Sequence, residues 1–190
     1  MTNKFTTVTP VALPARSSIT HFYAATNLAD AFAIRLPLNA SSDPEVLARF
    51  MFGQQPAWIG TLMKVRDAIV ATFGLKTAQH LTALANDPKA RRVGIFKIYS
   101  TNGAEIVLGE DDKHLDFRVS VLCSGDPAGE GGRQLTVSTV VHCHNLLGRA
   151  YIIIIAPFHR MVVKASLRRA ALIGWPQAIV HSNVTTKSHK

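Results

Sequence analysis

The sequence predicts an α+β domain of helix-grip type: a curved antiparallel sheet of about six strands wrapped around one long C-terminal helix, with two helices inserted after the first strand. Three observations lead there. Residues 28–36, LADAFAIRL, read as a strand, and two amphipathic helical stretches follow between Pro44 and Gly74. From residue 93 the apolar period changes to two and holds through several segments. From Pro157 it returns to helical spacing, and that last stretch is the only long amphipathic element left to cover the apolar side of a sheet.

The elements follow in order. Residues 1–20, rich in Thr, Ser and Pro, read as an irregular arm. Pro37 closes the first strand. Ser42 or Asp43 can cap a helix that has Pro44 at its first position, Glu45 in its first turn, and Val46, Leu47, Phe50 and Met51 at helical spacing. Gly53 ends it. A second helix starts at Pro56, carries Trp58, Ile59, Leu62 and Ile69 on one stripe with Arg66 beside it, and stops at Gly74. Residues 75–90 are weakly helical or loop. VGIFKIYS and AEIVLG flank the turn Thr101-Asn102-Gly103, a hairpin signal. HLDFRVSVLC, RQLTVSTVVHCH and RAYIIIIA read as three more strands, the last because four consecutive isoleucines are β-branched. The terminal helix then begins at Pro157 and ends at Gly174 and Pro176. The predicted organisation is an arm (1–20), a single domain (21–174) and a polar basic tail (175–190).

A chain of 190 residues is most simply one domain, and its 47% apolar and 17% charged content is that of an ordinary soluble globule. The net charge is +9, with Arg160, Lys164, Arg168 and Arg169 near the C-terminus, which reads either as a surface for phosphate or anionic membrane or as a solvated helix face. Aromatic content of 7% offers little for base stacking, so nucleic acid is not the expected partner. Two cysteines, Cys123 and Cys143, imply buried free thiols and a reducing compartment. The N-terminus has no apolar secretory core, and the greasiest run, Ala150 to Phe158, falls short of the roughly 20 residues a membrane span needs. A cytoplasmic protein is expected. GxGxxG and GxSxG are absent, and GEGG at 129–132 lacks the lysine and helix of a phosphate loop, so no cofactor is expected.

Three blocks, PAWIGTLMKVRDAIVATFGLK, LGEDDKHLDFRVSV and HNLLGRAYIIIIAPFHRMVVKASLRRA, resemble an uncharacterised bacterial family, the domain of unknown function 2867, over roughly residues 8–173. That family in turn looks like a member of the helix-grip superfamily of START domains, polyketide cyclases and the birch-pollen allergen. The resemblance implies a hydrophobic cavity and a range of roles, from lipid or metabolite binding to cyclisation, aromatic chemistry and chaperone assistance. It carries over the motif positions Trp58, Arg66, His114, Asp116, Arg118, Tyr151, Phe158 and His159 as candidate ligand-binding residues.

The residues themselves frame the site question. His114, Asp116 and Arg118 alternate along one strand, so their side chains share a face about 7 Å apart. Asp116 can orient His114 as an acid–base pair, and Arg118 can grip an anionic group; polar-out alternation on a half-exposed sheet explains the same row without function. His142 and His144 share a strand face, and a metal site there would need His114 and Asp116 as further ligands. His159, at the start of the predicted terminal helix, can look into the cavity mouth, or simply pack there. Arg66 can pair with Asp116, and Trp58 and Tyr151 read as cavity wall or core. The expected function is binding of a small hydrophobic or amphipathic molecule between sheet and terminal helix. The alternatives are a lyase, cyclase or hydrolase using His114 and Asp116, or an interaction module using the basic surface.

Overall fold

The computed structural model describes residues 5–62, 64, 91–125 and 132–178. The chain is α+β. Its strands are β1 (Thr9–Val11), β2 (Leu28–Arg35), β3 (Arg92–Val93), β4 (Phe96–Thr101), β5 (Glu105–Asp111), β6 (Leu115–Ser124) and β7 (Gln134–Cys143). Its helices are α1 (Pro44–Gly53) and α2 (Leu146–Ile173), with residues 57–62 also helical. The strands form one open antiparallel sheet in the order β1-β2-β7-β6-β5-β4-β3. β4 to β7 are a meander, whereas β2 lies against β7 with Leu28 opposite Val141 and Arg35 opposite Gln134. The edge strands β1 and β3 are short, which leaves little unpaired backbone for another chain to add to.

Local sequence explains each boundary. Asp43 caps α1 by accepting from the Glu45 and Val46 amides at 2.8 and 3.3 Å, with Pro44 where a helix needs no N–H. Leu47, Ala48 and Met51 are the face it buries. Between β4 and β5 the Asn102 side chain accepts from the Ala104 and Glu105 amides, so the chain reverses on an asparagine turn.

Alternation then sorts the sheet into two faces. Leu115, Phe117, Val119 and Val121 of β6 point to the same side as Leu108, Val137 and Phe32. There they meet Leu47, Met51 and Leu167 of the two helices in the main core. Asp116, Arg118 and Ser120 point to the other side.

Four expectations are corrected. RAYIIIIA is not a fifth strand of the series: residues 149–156 are helical, and α2 starts at Leu146, eleven residues before the predicted start at Pro157. The Asn145 side chain accepts the Gly148 amide at 3.0 Å and nucleates the first turn. The isoleucines then divide by helical period, Ile152 buried, Ile153 and Ile154 73% and 57% exposed. Isoleucine's reluctance to be helical is only a few tenths of a kcal/mol per residue, which a cap and a packed face readily offset. Pro157 sits inside the helix and His159 well past its start, so no helix N-terminus acts on that imidazole.

The arm is not irregular throughout. β1 pairs with β2, and residues 13–23 lie over the far side of the sheet, where Ile19, Leu13 and Tyr23 pack on Val107, Val140 and Tyr99. Among the described residues the sheet accordingly has seven strands rather than about six. The tail also begins later than predicted. Trp175 is buried against Phe50, the Ser41 amide donates to the Pro176 carbonyl, and the Ala178 amide donates to the Asn39 carbonyl. The continuation of the second predicted helix to Gly74, residues 75–90 and most of the 124–132 loop fall outside the described residues.

Candidate functional site

Between the sheet and α2 lies a cavity of about 450 Å³. Its floor is the inward row of β6 and β7, Leu115, Phe117, Val119, Val137 and Val141, and its roof is α2 from Tyr151 to Ser166. Met51, Phe52 and Ile59 close one side. Phe158 lines it while 46% exposed, which puts that ring at the mouth. The volume lies within the usual range for small-molecule sites, and the walls are mainly apolar with few polar groups.

Those few polar groups are specific. Ser166 is 3% exposed, and its hydroxyl has no hydrogen-bond partner among the described residues. An unsatisfied buried hydroxyl costs about 1–3 kcal/mol, and this one belongs to a residue of the cavity wall. His159 lies on the same helical face, seven residues earlier, and also lines the cavity. Its Nε2 is 3.3 Å from Asp30 Oδ1, and Arg160 Nε donates to Asp30 Oδ2 at 3.3 Å. Asp30 belongs to the inward face of β2, opposite Thr139 of β7, itself a lining residue. Glu110 lines the other end and is held by Arg92 at 3.1 Å, both side chains buried. Among the described residues no group of three or more His, Cys, Asp or Glu is placed to hold a metal ion.

The predicted site residues separate. Tyr151, Phe158 and His159 line the cavity. Trp58 is 40% exposed and not part of the wall; its neighbour Ile59 is. Arg66 lies outside the described residues. The His114–Asp116–Arg118 row does not line the cavity, because the alternate residues Leu115, Phe117 and Val119 do.

Each member of that row has a structural partner instead. His114 Nδ1 lies 2.9 Å from Asn145 Nδ2, the amide whose oxygen caps α2. With the oxygen taken by the Gly148 N–H, the amide nitrogen must donate, and His114 accepts on Nδ1. Asp116 pairs with His144 at 3.1 Å, not with His114, and accepts the Asp112 amide at 3.1 Å. Arg118 is buried under the arm. Its guanidinium pairs with Asp111 at 2.7 Å, donates to the Phe117 carbonyl at 2.8 Å, and lies 3.6 Å from the Tyr99 ring centroid. Gly109, opposite Arg118, makes this possible: a Cβ there would fall 3.0 Å from the Arg118 side chain and 2.3 Å from the Phe117 carbonyl oxygen.

Much of the rest of that far face is committed too, although the buried Tyr23 and Ser138 hydroxyls and Arg118 Nε have no hydrogen-bond partner among the described residues. His142 Nδ1 meets the Ala25 carbonyl at 2.7 Å, and its ring stacks on Tyr23 with centroids 5.6 Å apart. His142 and His144 contact edge to face rather than converging on a point, so the His142–His144 pair with His114 and Asp116 does not form the metal constellation considered from the sequence. Glu105, 3% exposed, accepts from Ser17 Oγ at 2.6 Å, Ser18 Oγ at 2.7 Å, the Ser18 amide and Ser120 Oγ. Burial alone would raise its pKa; those hydrogen bonds outweigh it and hold the carboxyl below its ordinary value. Burial pushes the Cys123 thiol up to about 11 and also raises Cys143, so both free cysteines stay protonated and unreactive.

Sequence reasoning missed Asp30, Thr139 and Ser166. A signal existed in each case, one polar residue on an otherwise apolar stripe: Asp30 among Leu28, Phe32 and Ile34, Thr139 between Val137 and Val141, Ser166 among Val162, Val163 and Ala170.

The pattern of a family described as Protein of unknown function (DUF2867) matches residues 22–166, and the chain belongs to that family. Comparison with curated proteins and with solved structures returned no match.

Proposed function

We propose that this protein binds a small, largely apolar or amphipathic molecule in the cavity between sheet and α2, with the polar end of the guest at Ser166 and His159. Helix-grip geometry is the finer reading of the architecture: α2 packs on β2, β7 and α1, and the space beneath it is the natural guest site. The observation that carries the reading is the apolar cavity itself, with the Ser166 hydroxyl on its wall unpartnered among the described residues. An enzyme reading has a different location from the one the sequence suggested. The only described histidine–carboxylate pair touching the cavity is His159–Asp30, since Asp116 is held by His144 on the far face.

The test is native mass spectrometry of the purified protein, with extraction of co-purified small molecules, alongside titration with an environment-sensitive apolar dye. A stoichiometric guest, or saturable dye binding lost in Val137→Phe, is expected. That variant's folding is checked by circular dichroism, because overpacking costs about 1–3 kcal/mol. Dye binding that survives in folded Val137→Phe, with no guest found, would overturn the reading.

A further inference from the structure

The outward face of α2 is distinct from the cavity and has its own chemistry. Leu146, Ile153, Ile154, Met161 and Leu172 are all exposed, Leu146, Ile153 and Leu172 by more than 70%. α2 is long and apolar enough by length and composition to cross a membrane, and only 11% of its most apolar window is buried. Ile152, Leu167 and Ala170, on the opposite side, are packed into the protein, so the helix cannot be surrounded by lipid. Its 28 residues include no aspartate or glutamate but carry Arg149, Arg160, Lys164, Arg168 and Arg169.

The last four of these basic residues, with Met161 and Leu172, line a surface hollow on the C-terminal half of the helix. Arg168 and Arg169 are exposed and form no ion pair with any described residue. Exposed aliphatic groups along one stretch, and cations around a hollow beside it, match a surface with acyl chains below and anionic headgroups above. A second copy of the chain is disfavoured, because helix-to-helix pairing would set Arg168 and Arg169 against their own copies with no carboxylate on either helix.

We infer that α2 docks this protein flat on an anionic lipid surface, Ile153 and Ile154 entering the headgroup–acyl boundary and Arg168 and Arg169 holding phosphate groups. The docking does not require an occupied cavity.

Flotation of the full chain with vesicles tests it, comparing phosphatidylcholine alone with an equimolar mixture of phosphatidylcholine and phosphatidylglycerol. The expected result is partition to the mixed vesicles only, weakening as salt rises. At about fivefold per basic residue, Arg168→Gln with Arg169→Gln weakens it about thirtyfold. Ile153→Ser with Ile154→Ser also releases the protein, and both double variants keep dye binding in the cavity, which separates this result from the fate of the ligand-binding proposal. No partition at low salt, or partition unchanged in both variants, would overturn it. So would a concentration-dependent dimer abolished by Ile153→Ser with Ile154→Ser, which would give the face to a second copy. Equal retention on heparin that ignores Ile153 and Ile154 would make the surface a general polyanion binder and also overturn it.

Discussion

The two faces of the sheet carry polar residues to opposite ends. On the far face, Glu105, Asp111, Asp116, Arg118, Ser120 and His142 are dense, and nearly all are consumed by one another or by the arm. Around the cavity polar residues are sparse, and the Ser166 hydroxyl of α2 has no partner among the described residues; on the far face the Tyr23 and Ser138 hydroxyls have none either. The charged row is therefore a seam under the arm, whereas the Ser166 hydroxyl stands beside an open apolar volume. What distinguishes them is the open apolar volume on one side and the packed arm on the other, not the number of polar groups.

The contrast can be broken from the far side first. Glu105→Ala leaves Ser17, Ser18 and Ser120 without their shared acceptor and should cost about 3 kcal/mol, measured by urea unfolding. Cavity dye affinity should not move; if it falls in parallel, the two faces are coupled and the contrast fails. The same carboxyl gives a pH signature. Its folded pKa is lowered, so its contribution is complete above the ordinary value of 4.5 and is lost as pH falls through the lower folded value. Glu105→Gln should flatten that part of the stability–pH profile.

A somewhat smaller effect is expected at the helix start. A Cβ on Gly148 would sit 2.2 Å from the His114 carbonyl oxygen, so Gly148→Ala must push α2 off the 112–114 turn, at about 2 kcal/mol by thermal unfolding. On the cavity face, Ser166→Ala removes an unpartnered hydroxyl. Stability should hold or rise slightly while affinity for the co-purified guest drops about fivefold, the value of a hydrogen bond near 1 kcal/mol. Loss of stability with unchanged affinity would remove Ser166 from the site. The smallest effect belongs to Asp116→Asn. Its pair with His144 is partly exposed, so stability should change by less than about 0.5 kcal/mol and guest affinity not at all.

Much of this arrangement was legible in residue order. The alternation of β2 and β4 to β7, the Asp43 cap and the Asn102 turn are local, and each forms where its own residues direct. The period-two reading of β6 correctly separated Leu115, Phe117 and Val119 from Asp116 and Arg118. What it could not assign was which row faces a cavity, because that depends on what lies over each face. The arm covers one and α2 the other, both contacts between segments far apart in sequence. Residues 149–156 were misread because β-branching was weighed above the Asn145 cap, and that one error moved His159 from a helix start to a helix interior. Asp30 was overlooked because its partner, His159, lies 129 positions away.

The pairing of β2 with β7 has a kinetic side. Leu28 meets Val141 across more than half the length of the chain, while β4 to β7 need only their neighbours. Closing so wide a loop is entropically expensive until the meander supplies a ready edge, so the early-made strand must wait for the late-made one. Pulse-labelling hydrogen exchange should find amides of β5 and β6 protected before those of β2. During synthesis the chain would carry Phe32 and Ile34 uncovered until residue 143 had left the ribosome, the interval in which a nascent-chain chaperone would have its substrate.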